Sequence, residues 1–298
     1  MNTHLKSNIA GMIFALLVGF TFFSIKICVP LASPLQILTF RYDFAFLGLL
    51  LLLVLKFAKI DFHQKKKKPL FISTSFYVLF MIFQTIGLCF STSIEGAIIF
   101  AATPIIVQIL AVFILNEHTT KGQLLCILLS VTALIYLLLS STSSLQFNAL
   151  GTAFLFLSSL NMAFFTIAIR YYRLNYSPTE TAFAICLEGF IFLNLVSLGM
   201  GLYTHTLTTY FLPLQNPTFV MAIFYLGIPC ILITSHLIAY MLHYLPATNV
   251  AIFNNVSTAI SIVVGVLALQ ESLEIYHIIG TIVILFSVIG MNRFALRD

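Results

Sequence analysis

Long apolar runs separated by short polar segments dominate this chain. A helix needs about 20 apolar residues to cross the hydrocarbon core of a bilayer. Runs of this kind predict ten spans, at residues 9–29, 35–57, 69–90, 94–115, 122–140, 149–170, 178–202, 218–240, 247–269 and 275–293. The runs lack the alternation of barrel strands, and a spanning segment must satisfy its own backbone hydrogen bonds. All ten spans are therefore predicted to be helices.

Composition excludes a soluble fold. Of 298 residues, 60% are hydrophobic and only 8% are charged, whereas soluble domains have about a quarter charged residues. The mean hydropathy of +1.08 leaves no charged shell, so the lipid bilayer must contact most of the surface. The apolar run at residues 11–29 is too long for a signal-peptide core and is interpreted as a retained helix.

Lysine and arginine are distributed unevenly between the predicted spans. With the N-terminus inside, 12 of the 14 basic residues fall in cytoplasmic segments, and none falls in an outer loop. The other two, Lys26 and Arg41, lie in the helices that flank the first outer turn. Because cytoplasmic segments carry an excess of Lys and Arg, the chain is predicted to lie in the plasma membrane with both termini cytoplasmic.

Two segments of the chain are alike. The sequence EGAIIFAATPIIVQILAVFILNE at residues 95–117 aligns without gaps with NVAIFNNVSTAISIVVGVLALQE at residues 249–271. Each segment ends in a glutamate, Glu117 or Glu271, and another span follows each. Five helices per half is an odd number, so the halves must enter the membrane in opposite directions. We therefore predict an all-α membrane protein of two inverted five-helix repeats, residues 1–145 and 146–298.

Several of these features together resemble the EamA-type branch of the drug/metabolite transporter superfamily. They are the doubled helix-plus-glutamate pattern, Ala102-Thr103-Pro104 in the fourth span, Arg41 in the segment LTFR, and the chain length. The resemblance covers nearly the whole chain. It implies a ten-helix carrier that exports or exchanges amino acids, drugs or related small solutes. Thr258 stands in the second repeat where the first has Pro104, so whether the second repeat has a matching kink is left open.

Ionisable side chains within a bilayer are costly, and this makes them candidates for function. Glu188 lies near the middle of the seventh span, where it either binds a cationic group or carries a proton, or else ties two helices together. Arg41 either receives a substrate carboxylate or forms a structural ion pair. Asp43 lies two residues away and points in a direction about 200° from Arg41, so at least one of the two needs a partner elsewhere.

Polar amides complete the predicted substrate site. An amide in an apolar stretch needs a partner on another helix or on a solute. Either use is open for Gln84, Gln108, Asn161 and Asn254. Glu117, Glu271, Asp43 and Pro104 are expected to have structural or gating roles rather than to bind substrate.

The sequence favours a secondary carrier that works by alternating access and binds a small-molecule substrate at a site near the middle of the membrane. It has no phosphate-binding GxxxxGK[ST] loop and none of the HExxH or GxSxG patterns of enzymes. We expect no enzymatic activity, cofactor, metal or nucleic-acid partner. A non-transporting receptor or scaffold is the alternative, and a monomer or a homodimer are both open.

Overall fold

The computed structural model describes residues 3–62, 65–115, 120–141, 148–205 and 207–294. In these ranges the secondary structure is helical throughout, without a strand. The α-helices are α1 (Thr3–Gly19), α2 (Thr21–Cys28), α3 (Pro34–Val54), α4 (Lys67–Phe90), α5 (Ser93–Phe100), α6 (Thr103–Leu115), α7 (Lys121–Ser141), α8 (Ala149–Tyr171), α9 (Pro178–Tyr203), α10 (Pro217–Gly227), α11 (Thr234–Tyr244), α12 (Ala247–Leu269) and α13 (Ile275–Arg293). A short 3₁₀ helix covers Leu212–Gln215, and a π-helical segment covers Ile228–Ile233.

Seven helices in the described ranges are long and apolar enough to cross a membrane. Three further apolar helices are shorter, at Lys121–Ala133, Val256–Leu269 and Ile275–Ser287. The all-helical, multi-pass prediction is thus confirmed. The count of ten spans, the inverted topology and the boundary between the repeats remain predictions.

Local sequence explains where several helices begin. Ser33, Thr92 and Ser177 each accept a hydrogen bond from the backbone N–H three residues later, and a Gln or Glu at that position bonds back. This reciprocal capping satisfies N–H groups that have no partner within the helix. Proline in the first turn of α3, α9 and α10 needs no such partner.

Three of the predicted spans are broken helices rather than continuous ones. The first divides at Phe20 into α1 and α2, and the fourth divides at Ala101 and Ala102 into α5 and α6. The eighth passes from α10 through the π-helical segment into α11. By contrast α12, which carries Thr258 in place of a proline, runs without a break from Ala247 to Leu269.

The helices pack into two groups that do not coincide with the two halves of the sequence. The first helix group consists of α4, the broken helix α5–α6, and α8, with α8 packed along both of the others. The second helix group consists of the broken helices α1–α2 and α10–α11 together with α12, with α1–α2 packed along both. The pair α3 and α9 and the pair α7 and α13 lie beside these groups.

Helices α4 and α8 run antiparallel and fix the two ends of the molecule. The rings of Phe83 and Phe154 lie 6.0 Å apart, whereas those of Phe76 and Phe164 lie 5.3 Å apart. The last turn of α4 is therefore near the first turn of α8. We call the end where α2 and α4 finish the Leu88 end, and the end where α8 and α11 finish the Arg170 end.

Candidate functional site

Arg41 is a fully buried cation in the second turn of α3. Its side chain is 0% exposed. One terminal nitrogen donates to Thr85 Oγ1 at 3.3 Å, the other contacts Met81 Sδ at 3.2 Å, and Nε has no partner. In the described part of the chain no carboxylate lies within 4 Å of this guanidinium. The structural ion pair that was one of the two alternatives for Arg41 is therefore not seen among the described residues, and the positive charge has no counter-charge there.

The surroundings of Arg41 come from several helices. Cys28 of α2, Tyr77 of α4 and Cys230 of the π-helical segment lie within electrostatic range of it. The backbone of α10 approaches closely, since a Cβ atom on Gly227 would lie 2.6 Å from the carbonyl oxygen of Arg41. A glycine is needed there because no larger residue fits.

The π-helical segment has a local cause in the sequence, namely Pro229. Pro229 has no N–H to donate, and its ring crowds the carbonyl of the preceding turn, so a regular α-helix cannot continue. The helix widens over Ile228–Ile233 instead. Such π segments occur often at functional sites, and this one contains Cys230, whose Sγ donates to Leu17 O at 3.5 Å next to the break in the first span.

The break in the first span is stabilised by side chains from other helices. Two carbonyl oxygens just before Phe20 accept hydrogen bonds from other helices. Tyr225 Oη donates to Leu17 O at 2.8 Å, and Ser261 Oγ donates to Gly19 O at 2.7 Å. Irregular backbone at membrane depth is tolerated only where such partners or a cavity replace the lost bonds.

The break in the fourth span lies beside that in the first. Pro104 has no N–H, which removes the bond to Phe100 and accounts for the end of α5. The ring of Phe100 packs 6.1 Å from that of Phe22, just after the first break, and 5.7 Å from Phe80 of α4. Pro104 thus has a structural effect, and its predicted gating role remains a prediction.

Several predicted substrate amides are buried and incompletely bonded. The side-chain oxygens of Gln84, Gln108 and Asn254 are buried without a hydrogen-bond partner. Asn161 differs, because its nitrogen donates to Leu157 O at 2.8 Å within α8. An unpaired buried acceptor is costly, so the first three remain candidates to contact a solute, whereas Asn161 has a local bond.

Glu188 ties two helices together. Thr74 Oγ1 of α4 donates to one carboxylate oxygen at 2.7 Å, and Ser75 Oγ donates to the other. A link between two helices was one of the alternatives for Glu188 in the sequence analysis, and these contacts match it. They leave fewer carboxylate lone pairs free for a cationic group.

Arg41 and Glu188 cannot contact the same small solute group. On the continuous helix α4, the partners of Arg41 (Met81 and Thr85) lie 6 to 11 residues from those of Glu188 (Thr74 and Ser75), which is about 9–16 Å along the axis. Asp43 is engaged elsewhere, since Asn194 of α9 donates to it at 2.7 Å. The structure thus separates charged residues that the sequence grouped as one site.

Glu271 caps α5 across the two helix groups. Its carboxylate accepts hydrogen bonds from Ser93 N at 2.8 Å, Ser93 Oγ at 2.7 Å and Ile94 N at 3.0 Å. A carboxylate at a helix N-terminus satisfies free N–H groups and is favoured by the helix dipole. Glu117, its predicted counterpart, lies outside the described residues.

Besides the bonds that Glu271 makes to α5, two hydrogen bonds from basic side chains join the helix groups, one at each end, and sequence reasoning missed both. At the Leu88 end, Lys26 Nζ of α2 donates to Leu88 O of α4 at 3.0 Å. At the Arg170 end, Arg170 Nη1 of α8 donates to Leu242 O of α11 at 2.9 Å. Leu88 and Leu242 each lie two residues before the end of their helix. The signal available in the sequence was a basic residue near the end of the first span of each predicted repeat.

A large cavity lies beside the Arg41 region. It has a volume of about 810 Å³, opens between α3, α4 and α9, and is lined mainly by apolar side chains such as Leu38, Ile82 and Leu193. Leu38 precedes Arg41 by three residues, which is about one helical turn, and Arg41 itself does not line the cavity. No cluster of three metal-ligating side chains was found among the described residues.

The apolar helices and the buried ionisable groups define a multi-pass α-helical membrane protein. The sequence model of the EamA-like transporter family matches residues 5–139 and again residues 149–293. The chain belongs to the EamA-like transporter family. A Bacillus subtilis (strain 168) relative, described as the uncharacterized transporter YcxC, is 32% identical over 286 residues, which are 95% of this chain and 92% of that protein.

A solved crystal structure is also similar in fold. It superposes with a TM-score of 0.69 over 97% of each chain, at 11% sequence identity. The family match and the relative confirm the resemblance found from sequence and support a transporter function.

Proposed function

We propose that this protein is a secondary carrier, and not an enzyme, which exports a small solute across the plasma membrane by alternating access. Family membership supports transport of some kind. The solute classes that fit the sequence resemblance are amino acids and drug-like metabolites. Because one chain supplies both helix groups, a monomer contains a complete set of moving parts.

The observation that carries this proposal is the pair of hydrogen bonds from basic side chains, one at each end, that joins the helix groups. Lys26 bonds to Leu88 at one end, and Arg170 bonds to Leu242 at the other. In both, a cation from the last turn of one helix donates to a carbonyl in the last turn of another. Alternating access requires contacts at each end that form and break in turn.

The strength of these bonds suits such a role. A hydrogen bond with a charged partner is worth about 1.5–3 kcal/mol net. Such a bond can hold one end closed, yet it can be broken by the binding free energy of a solute. Orientation follows from the distribution of basic residues, which puts the Leu88 end outside and the Arg170 end in the cytoplasm.

Native cysteines allow a test that needs no knowledge of the solute. Cys28 is buried two residues after Lys26, and it is the reporter once the half-buried Cys89 is changed to serine. A membrane-impermeant maleimide is applied from outside, and the rate of Cys28 labelling is measured. We expect Lys26→Gln to raise this rate, because the Leu88 end opens more often.

The remote variant is decisive. Arg170→Gln loosens the opposite end, so the Leu88 end should be closed more of the time. The rate of Cys28 labelling should then fall below that of the parent protein. Arg173→Gln is the matched control, since Arg173 donates to Arg170 O within the same segment and does not join the helix groups. Unchanged labelling in Arg170→Gln, or a rise in both test variants, would contradict alternating access through these contacts.

A further inference from the structure

We propose that Arg41 binds an anionic group of the transported solute, in the first instance a carboxylate. This inference rests on the proposed carrier function and names its substrate class. Arg41 is 0% exposed, and its only described partners are the neutral groups of Thr85 and Met81. A buried charge without a counter-charge is strongly unfavourable in a protein interior, so the site is incomplete without an anion.

The donors around the guanidinium are only partly used. Arginine offers five N–H donors in a planar fork that matches a carboxylate. Nε has no acceptor, and the buried hydroxyl of the adjacent Tyr42 has none either. An anion at this point would satisfy donors that the protein leaves free.

No carboxylate of the described chain can take this place in the observed fold. Asp43 accepts from Asn194 on α9, and Glu188 accepts from Thr74 and Ser75. The partners of Glu188 on α4 also lie about 9–16 Å along the axis from those of Arg41. The counter-charge must therefore come from outside the described residues, which makes a ligand the natural source.

A cavity and an irregular helical segment both lie close to the arginine in the fold. The cavity of about 810 Å³ reaches Leu38, one turn from Arg41 on the same helix. Its mainly apolar lining suits the body of an organic acid rather than a bare inorganic ion. The π-helical segment Ile228–Ile233 packs against α3, the helix that carries Arg41, and a helix with irregular hydrogen bonding can rearrange at low cost.

Matched pairs of acids and amides test this assignment. The unfolding midpoint of the purified protein in detergent is measured in a buffer free of chloride, with benzoate against benzamide, hexanoate against hexanamide, and L-leucine against L-leucinamide. A bound ligand raises the midpoint by mass action. We expect at least one carboxylate to give a saturable rise of about 2–4 °C, while its amide gives none.

Substitutions connect the effect to the arginine. Arg41→Met should weaken the apparent affinity for that carboxylate about 10- to 100-fold, and Arg41→Lys should restore part of it through its charge. Arg173→Met is the control, because this arginine lies at the Arg170 end and should leave the shift unchanged. Without ligand, Arg41→Met is expected to unfold at a higher temperature than the protein with Arg41.

Other outcomes would overturn the proposal. They are the absence of any shift with carboxylates, an equal shift with acid and amide, or a shift that survives Arg41→Met. A chloride titration that reproduces the whole shift in an Arg41-dependent way would instead assign the site to a resident inorganic anion. If Cys28 labelling responds to the Lys26 and Arg170 variants while these tests fail, only the substrate class is wrong and the carrier proposal stands.

Discussion

At the scale of single residues, Arg41 and Glu188 illustrate two ways in which a membrane protein holds an ionisable group. Glu188 accepts hydrogen bonds from Thr74 and Ser75, so its acceptors are satisfied within the protein. Arg41 has donors in excess of its acceptors and no counter-charge. Satisfied polar groups stabilise a fold, whereas unsatisfied ones are retained for binding or at a cost in stability.

Glycine 189 provides a prediction at this scale. A Cβ atom at Gly189 would overlap the ring of the buried Tyr42, whereas one at Gly199, on the same helix α9, meets nothing within 4 Å. Overfilling a packed interior costs about 1–3 kcal/mol. Gly189→Ala is therefore expected to lower the unfolding midpoint in detergent by several degrees. Gly199→Ala is the matched control and should change it little; equal midpoints would refute this packing.

The sequence predicted the depth of these residues but not their partners. Hydropathy and helical rise located Glu188 and Arg41 within spans, because both depend only on the local chain. Which hydroxyl or carboxylate meets each group depends on how separate helices rotate against each other. The pairings of Asp43 with Asn194, and of Glu188 with Thr74, link residues more than 100 positions apart, and periodicity in one segment carries no information about them.

At the scale of helices, the breaks in three spans have local causes that can be read in part. Pro104 and Pro229 lie inside apolar runs, and the loss of an N–H at each accounts for the end of α5 and for the π-helical segment. The break at Phe20 has no proline, and its carbonyls are held by Tyr225 and Ser261 from other helices. Tertiary contacts of that kind could not be predicted from the first span alone.

Glu271 provides the prediction at the scale of helices. Its carboxylate accepts from two backbone N–H groups and one hydroxyl at the start of α5. Glu271→Ala removes this cap and is expected to cost about 1–2 kcal/mol of unfolding free energy, seen as a lower midpoint. Glu271→Gln keeps one acceptor oxygen and should cost less. A midpoint that is the same in both variants and in the parent protein would show that the cap contributes nothing.

At the scale of the whole molecule, the helix groups exchange elements between the two halves of the sequence. Helix α8 from the second half packs with α4 and α5–α6, while α1–α2 from the first half packs with α10–α11 and α12. Repeat analysis indicated that two halves exist but gave no packing between them. The exchange puts Lys26 and Leu88 in different helix groups, although both belong to the first half, and likewise Arg170 and Leu242.

The most direct measurement of the proposed motion is a pair of distances between spin labels on the two helix groups. One pair joins residues 90 and 268 at the Leu88 end, and the other joins residues 171 and 244 at the Arg170 end, all of which are exposed. Distances are measured in lipid for the parent protein, Lys26→Gln and Arg170→Gln.

Alternating access predicts opposite changes at the two ends. Lys26→Gln should lengthen the distance between residues 90 and 268 while that between residues 171 and 244 stays short, and Arg170→Gln should do the reverse. Distances that lengthen together, or that remain unchanged in both variants, would contradict a carrier in which these two helix groups open one end at a time.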